Sequence, residues 1–141
     1  MISSPPEKKL EDRKSRRVLY VDDMRELRDV ARLALSKSGH KIECAPDGSD
    51  AFEMIKANHG AYDIVISDHH MATMNGLELA IKLRELKYPG MIAIVSSELS
   101  QLVADEYRSI GVERILYKPV ALADLRSLVL ESEALPEAGP G

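Results

Sequence analysis

Short apolar runs alternate along this chain with longer segments in which apolar residues recur every three or four positions. The runs at 18–21, 64–66 and 92–95 are apolar throughout, which is typical of strands that helices cover on both faces. The longer segments have the spacing of helices with one buried face. The pattern predicts strands at about 17–22, 41–45, 62–67, 91–95 and 113–117, and helices within 24–39, 46–60, 76–87, 99–110 and 122–131.

The spacing also predicts which helix residues are buried. In the first helix these are Leu27, Val30, Ala31, Ala34 and Leu35, and in the fourth they are Leu99, Leu102, Val103 and Ile110. Gly39 and Gly111 follow the two helices at positions where a left-handed backbone costs glycine little.

Strands alternate with helices five times, which favours a doubly wound α/β fold around one parallel sheet. We expect a single domain over residues 16–131. Residues 1–15 are charged and aperiodic, and they are predicted to form a flexible arm. The Pro/Gly-containing end, 132–141, is predicted to be a flexible tail with nothing to pack against.

Composition narrows the function classes. The 141 residues are 45% apolar and 30% charged, with a net charge of −4, which argues against a nucleic-acid-binding surface. No apolar run reaches the length of a membrane span, and the N-terminus has no apolar core of a secretory signal. The single cysteine, Cys44, is predicted to be a buried apolar residue. These features indicate a reducing, cytoplasmic setting without membrane partners.

Polar residues of particular kinds stand where four of the predicted strands end. Asp22 and Asp23 follow the first strand, and Asp68 follows the third. The hydroxyl pair Ser96-Ser97 follows the fourth strand, and Lys118-Pro119 follows the fifth. Because the carboxyl ends of parallel strands lie along one edge of a sheet, where ligands bind, these groups should converge.

Each of these residues has a simpler interpretation when it is taken alone. Asp22 and Asp23 could cap the following helix, Asp68 could be a turn residue, and Lys118 could end a strand in solvent. Together they indicate a magnesium site, since magnesium prefers carboxylate and phosphate oxygens. We interpret Asp22 and Asp23 as metal ligands and Asp68 as a nucleophile that accepts a phosphoryl group. Ser96 and Lys118 would contact that group, and the lysine charge would stabilise its transfer. Pro119 admits a cis peptide bond after Lys118.

The chain resembles a response-regulator receiver domain over about residues 16–131. The matching pieces are VLYVDD, IVISD, the NG before the third helix, IVSS and YKP, together with the spacing of the four strand-end sites. The resemblance implies a flavodoxin-like sheet in the order 2-1-3-4-5. It implies Mg²⁺ held by Asp23, Asp68 and the backbone carbonyl of His70, with Asp22 assisting.

The same resemblance implies a function in two-component signalling. Asp68 would accept phosphoryl from a histidine kinase or a histidine phosphotransfer protein. The protein would catalyse only its own phosphorylation and dephosphorylation, and it would signal by binding a downstream partner, with no output domain of its own. The implied partner surface spans 99–131, and Gln101, Arg108 and Tyr117 are candidate contacts on it. The side chains of His70 and Glu98 would set the lifetime of the aspartyl phosphate.

Two positions depart from the family pattern. Ala72 stands where the family has proline, four residues after the phosphoacceptor. Ile115 stands where the family has an aromatic switch residue, and the nearest aromatic is Tyr117. Ile115 cannot make the ring movement that links phosphorylation to the partner surface in the family.

The remaining residues of the loop have simpler interpretations. Neighbouring histidines on a loop are more often solvated, so His69 and the His70 ring are predicted to be solvated and not to bind metal. Met71 and Met74 are expected to pack against the edge of the sheet.

The sequence disfavours three other functions. A magnesium-dependent phosphatase would need an acid/base carboxylate at position 70 and a cap domain, and the sequence has neither. A receiver-like scaffold that is never phosphorylated is disfavoured by the complete set of site residues and favoured slightly by Ile115. A DNA-binding regulator is disfavoured because the sequence leaves no room for a second domain.

Overall fold

The computed structural model describes residues 15–136, so most of the predicted N-terminal arm lies outside the described residues. Within them, five strands alternate with five helices. The strands are β1 (Arg17–Val21), β2 (Lys41–Ala45), β3 (Ile64–Asp68), β4 (Met91–Ser96) and β5 (Arg114–Tyr117). The helices are α1 (Arg25–Lys37), α2 (Gly48–Ala57), α3 (Gly76–Glu85), α4 (Gln101–Ser109) and α5 (Leu122–Glu131).

The five strands form one parallel sheet in the order β2-β1-β3-β4-β5, which confirms the predicted fold. Every residue of β3 is buried, including Asp68, which is the last residue of the strand instead of the first residue of the loop. The strand that carries Asp68 pairs with β1 on one side and β4 on the other. Apolar side chains cover both of its faces.

The sheet separates two apolar clusters because successive strand side chains point to opposite faces. Leu19 and Val65 pack with residues from α2, α3 and α4, including Ile55, Leu83 and Tyr107. Val18, Ile64 and Val95 pack on the other face against residues of α1 and α5, namely Ala31, Leu35, Leu125, Leu128 and Val129. This two-sided core fixes the carboxyl ends of the central strands.

Two residues that the periodicity places in the core are exposed. Val30 is 48% exposed and Leu102 is 72% exposed. In α4, Ala104 and Tyr107 are buried, and this orientation of the helix leaves Leu102 in solvent. In α1 the buried residues are Ala31, Ala34 and Leu35, so Val30 lies beside the buried face and not within it. The prediction of burial is wrong for both residues. Cys44, which was also predicted to be buried, is only half-buried.

The helix boundaries agree with the capping residues and glycines in the sequence. Asp47 is the N-cap of α2, and its side chain accepts a hydrogen bond from Asp50 N. Asn75 and Glu78 form a reciprocal capping box at the start of α3. Gly39 and Gly111 have φ of +91° and +88°, as predicted for residues that follow α1 and α4.

The prediction that nothing in the C-terminal tail packs is wrong for its first part. Ser132 is buried, and its carbonyl accepts a 2.8 Å hydrogen bond from Arg16 Nε. Leu135 N donates to Asp63 Oδ1 at 2.8 Å, and Leu135 O accepts from Arg17 Nη2 at 3.0 Å. The segment after α5 is thus held at the start of β1 and β3. Among residues 15–136, no helix is long and apolar enough to cross a membrane.

The buried carboxylate of Asp63 gives a testable prediction. Burial alone would raise the pKa of Asp63, but hydrogen bonds from Arg17 and from the Leu135 amide outweigh it and hold that pKa below its usual value. We expect Asp63→Ala to lower the free energy of unfolding by about 3 kcal/mol, because it removes the ion pair with the half-buried Arg17 and the acceptor of the Arg17 and Leu135 amides. The urea midpoint measures the loss.

Asp105→Ala is the matched control, since Asp105 pairs with Arg108 on the exposed surface and should contribute less than about 0.5 kcal/mol. The wild-type advantage over Asp63→Ala is present above the unfolded aspartate pKa of about 3.9 and is lost as the pH falls through the lowered folded pKa. Equal midpoints for the two variants at pH 7 would contradict the assignment.

Candidate functional site

The carboxyl edge of the sheet brings the predicted site residues together from four strands. Asp22 and Asp23 directly follow β1, Asp68 ends β3, Ser96 ends β4 and Lys118 directly follows β5. The edge is therefore built by residues that are far apart in sequence, as expected for a parallel α/β sheet.

Three carboxylates form the centre of this site. One oxygen from each of Asp22, Asp23 and Asp68 lies within 4.8 Å of the other two. Asp22 and Asp68 are buried, whereas Asp23 is exposed. The side chain of Asp22 does not cap α1, because Met24 occupies the N-cap position and Asp22 Oδ1 accepts from Met24 N at 2.9 Å. The capping interpretation of this residue is wrong.

The second oxygen of Asp22 has no hydrogen-bond partner. Asp22 Oδ2 is the one fully buried side-chain nitrogen or oxygen within residues 15–136 that lacks such a partner. Burial and the nearby charge of Asp68 raise the pKa of Asp22, against the lowering effects of the Met24 amide and Lys118. A buried acceptor next to two other carboxylates fits a hard divalent cation, which binds oxygen ligands and neutralises clustered negative charge.

Lys118 supplies the positive charge of the site. Its Nζ lies 3.2 Å from Asp68 Oδ1 and 3.6 Å from Asp22 Oδ2, and its side chain is 25% exposed. The backbone of Lys118 is fixed to β4, since its amide donates to Ser96 O at 2.8 Å. The Lys118–Pro119 peptide bond is cis, the form that the sequence allows.

The hydroxyl of Ser96 is buried at the same edge. It donates a 2.8 Å hydrogen bond to the backbone oxygen of Glu98, within the loop between β4 and α4. Its contact with a phosphoryl group remains a prediction. Ser97 is exposed.

The two histidines after Asp68 have different environments. The His70 ring is exposed, as predicted, and its Nε2 lies 3.3 Å from the backbone oxygen of Glu98. His69 is buried, so the prediction of a solvated ring is wrong for this residue. Its Nδ1 lies 2.6 Å from the hydroxyl of Tyr107 on α4. The role of the His70 carbonyl as a metal ligand remains a prediction.

The loop between β3 and α3 packs closely although it lacks the family proline at Ala72. Met71 is buried in the cluster that contains Leu19, and Met74 packs against the same cluster, as predicted. Thr73 has φ of +73°, which is unusual for a β-branched residue and marks local backbone strain. Ala72, the residue at the family proline position, is exposed.

The predicted partner surface has exposed and buried parts. Tyr117 is 50% exposed, and Gln101 and Arg108 are exposed and contact Asp105. Ile115 is half-buried and packs against the cluster on the α4 side of the sheet.

Sequence reasoning missed Tyr107 as a residue of the site region. The helical spacing from Val103 and Ala104 places it on the buried face, but its contact with His69 depends on the fold.

Comparison with known proteins agrees with this geometry. A family model described as response regulator receiver domain matches residues 18–130. The chain belongs to the response regulator receiver domain family. It is a receiver domain of two-component signalling, as the resemblance in its sequence implied.

Similar proteins include the response regulator MprA of Mycobacterium sp. (strain KMS), which is 34% identical over 128 residues, covering 88% of this chain and 54% of the relative. The chain thus spans about half the length of the MprA relatives it matches. Among solved structures, the chemotaxis protein CheY4 of Vibrio cholerae is 25% identical, with a TM-score of 0.74, covering 84% of this chain and 98% of that chain. A co-crystal structure from Saccharomyces cerevisiae contains the histidine phosphotransfer protein Ypd1 and the receiver domain of Ssk1. The match is 22% identical, with a TM-score of 0.77, covering 86% of this chain and 93% of that chain, and at this identity it shows the fold alone.

The orphaned oxygen of Asp22 predicts a trade-off between stability and metal binding in this receiver domain. Because folding raises the Asp22 pKa, its carboxyl stabilises the folded state only when protonated, and that contribution is lost as the pH rises through the raised pKa. We expect Asp22→Asn to raise the metal-free Tm at pH 7.5 by about 4 °C, on the order of 1 kcal/mol. We also expect it to abolish most of the Tm increase caused by about 10 mM Mg²⁺, because a ligand that binds only the folded state raises the Tm.

Two variants separate these effects. Asp23→Asn should leave the metal-free Tm nearly unchanged, because Asp23 is exposed, but it should also lose the magnesium response. Asp124→Asn, a change of an exposed carboxylate in the first turn of α5, should keep the wild-type magnesium response and lower the metal-free Tm slightly, since an acidic residue at a helix N-terminus is stabilising. A lower metal-free Tm for Asp22→Asn would show that repulsion does not dominate at this position.

Proposed function

We propose that this receiver domain is a magnesium-dependent phosphoacceptor, in which Asp68 receives a phosphoryl group from a phosphohistidine. The observation that carries the proposal is the position of Lys118 Nζ, 3.2 Å from Asp68 Oδ1 and beside a cluster of three carboxylates. A lysine and a divalent-cation site beside one carboxylate suit phosphoryl transfer, which depends mainly on positioning and on neutralising charge.

The chemistry is a displacement at phosphorus. One carboxylate oxygen of Asp68 forms a bond to phosphorus as the P–N bond of the donor phosphohistidine breaks, and the released imidazole nitrogen takes a proton. Bound Mg²⁺ would neutralise charge on the phosphoryl oxygens, and Asp23, Asp68, Asp22 and the His70 carbonyl are its proposed ligands. Lys118 binds a phosphoryl oxygen, and Ser96 turns its hydroxyl from Glu98 O to a second one.

The proposed phosphoryl donors are a histidine kinase or a histidine phosphotransfer protein. The fold resembles that of the Ssk1 receiver domain, which was crystallised with a histidine phosphotransfer protein. The proposed downstream partner binds the 99–131 surface, where Leu102 and Tyr117 are both large, apolar and at least half exposed. We propose that the protein performs only its own phosphoryl transfer and dephosphorylation.

The direct test is intact mass after incubation with acetyl phosphate or carbamoyl phosphate, with and without Mg²⁺. We expect the wild-type protein to gain the mass of one phosphoryl group only with Mg²⁺, and Asp68→Asn to gain none. Lys118→Ala should be phosphorylated at least about tenfold more slowly, the effect of about 1.4 kcal/mol on the barrier. A folded wild-type protein that gains no mass would favour the phosphorylation-independent scaffold.

The lifetime of the aspartyl phosphate gives a second test. The His70 ring lies 3.3 Å from the backbone oxygen of Glu98, which also accepts from the Ser96 hydroxyl. We propose that the side chains of His70 and Glu98 control how water approaches Asp68. We expect His70→Ala and Glu98→Ala each to change the dephosphorylation rate constant by at least about threefold, or roughly 0.7 kcal/mol on the barrier. The decay of the phosphorylated mass measures this. Glu113→Ala, an exposed residue just before β5, should decay at the wild-type rate, and the hypothesis is wrong if all three variants do.

A further inference from the structure

His69 joins the end of β3 to three other elements. Its amide donates to Val95 O of β4 at 3.0 Å, and its carbonyl accepts from Gly76 N, the first residue of α3, at 2.9 Å. Its ring nitrogen Nδ1 lies 2.6 Å from the hydroxyl of Tyr107 in α4. The residue directly after Asp68 is thus fixed by one contact to a strand and one to each of two helices.

Tyr107 has the geometry of a specific contact, not only of a core side chain. Its side chain is fully buried, and its ring meets the His69 ring edge-on, with centroids 5.6 Å apart. Burial strongly raises the pKa of Tyr107, and the charge of Asp68 adds to this, so the hydroxyl keeps its proton. With a neutral His69 ring, either the hydroxyl donates to Nδ1 or a protonated Nδ1 donates to the hydroxyl oxygen, and the contact is kept in both tautomers.

The packing around this contact leaves no spare space. A Cβ at Gly76 would lie 2.7 Å from Asp68 O and 2.7 Å from the Tyr107 hydroxyl oxygen. Glycine is therefore required at the start of α3, because the backbone of Asp68, the first turn of α3 and the tip of Tyr107 touch at this point. A displacement of any one of the three moves the other two.

A second buried tyrosine, Tyr88, has a hydroxyl that bonds to the backbone and serves as a comparison for Tyr107. Tyr88 is also buried, and its hydroxyl donates to the backbone oxygen of Tyr62 at 2.9 Å. That bond joins the segments before β3 and β4, at the edge of the sheet opposite Asp68. The hydroxyl of Tyr107 differs because it holds the side chain of the residue next to Asp68.

We propose that Tyr107 is a positioning residue for Asp68, which acts through His69 and ties α4 to the state of the phosphoacceptor. The proposal rests on the proposed function and extends it to residues outside the proposed metal and phosphoryl site. The hydroxyl fixes the orientation of the His69 ring. The fixed ring in turn holds the backbone of residues 68–70, which includes Asp68 and the carbonyl of His70. Coupling is reciprocal, so a change at Asp68 is also felt by α4.

The test compares Tyr107→Phe with Tyr88→Phe, since each removes one buried hydroxyl and retains the ring. The readouts are the Mg²⁺ dissociation constant from calorimetry, the rate constant for phosphorylation by acetyl phosphate, and hydrogen exchange of the α4 amides with and without beryllium fluoride and Mg²⁺. We expect Tyr107→Phe to weaken Mg²⁺ binding and slow phosphorylation by about three- to tenfold, and to reduce the exchange response of 101–109. Tyr88→Phe should keep wild-type values of all three.

A double-mutant cycle shows whether the hydroxyl acts through His69. In a His69→Leu background, the additional change Tyr107→Phe should alter Mg²⁺ affinity and phosphorylation rate by less than about twofold, because the bond is already absent. Equal effects of Tyr107→Phe in both backgrounds would overturn the proposal. The same conclusion follows if Tyr107→Phe behaves as wild type, or if Tyr88→Phe matches it in every readout, since the effect would then be one of general stability.

Failure of the proposed function gives a different result. A wild-type protein that binds Mg²⁺ but gains no phosphoryl group would remove the phosphoacceptor role, and the Mg²⁺ affinities of the variants would still decide the positioning role. A wild-type protein that is phosphorylated normally, with a Tyr107→Phe variant identical to it, would remove only the positioning role.

Discussion

The arrangement depends on electrostatic repulsion that the fold imposes at one edge of the sheet. Three carboxylates lie within 4.8 Å of one another, and Lys118 is the cation that contacts two of them. One lysine does not neutralise three negative charges, and Asp22 Oδ2 is buried without a hydrogen bond. An apolar or amide side chain there would suit folding better. The protein keeps an unfavourable charge arrangement that a divalent cation would relieve.

The rest of the molecule makes this arrangement rigid. Asp68 belongs to the central strand β3, whose residues are all buried between two clusters of apolar side chains. Lys118 cannot move away with its strand, because its amide is bonded to Ser96 O on β4. Charged groups that are held by a packed sheet cannot move apart to reduce their repulsion. Phosphoryl transfer benefits from charged groups whose positions are fixed before the reaction. The stability of the core therefore offsets the cost of the site.

The features that depend on strand order were predicted correctly from the sequence. The predictions of burial were wrong where the rotation of a helix against the sheet decides which residues are buried. The convergence of Asp22, Asp68, Ser96 and Lys118 follows from strand ends alone, because parallel strands share an edge. Burial of Leu102 and solvation of His69 were wrong because both depend on how α4 is rotated against the sheet, which turns Tyr107 inward. The anchoring of Leu135 was missed because its partners, Arg17 and Asp63, are more than 70 positions away. Periodicity describes one element at a time, and these contacts join separate elements.

If this receiver domain signals by phosphorylation as proposed, the isoleucine at 115 limits how a signal can leave the site. An aliphatic side chain packed against the core offers no hydrogen bond that phosphorylation could make or break. The contact of Tyr107 with His69 is polar, buried and one residue from Asp68. A net hydrogen-bond contribution of about 0.5–1.5 kcal/mol would shift a two-state equilibrium of α4 by roughly two- to tenfold. That is enough to bias a partner surface without full rearrangement of the helix. In this receiver domain the polar link between Asp68 and α4 therefore lies within the buried core, beneath the face that carries Leu102.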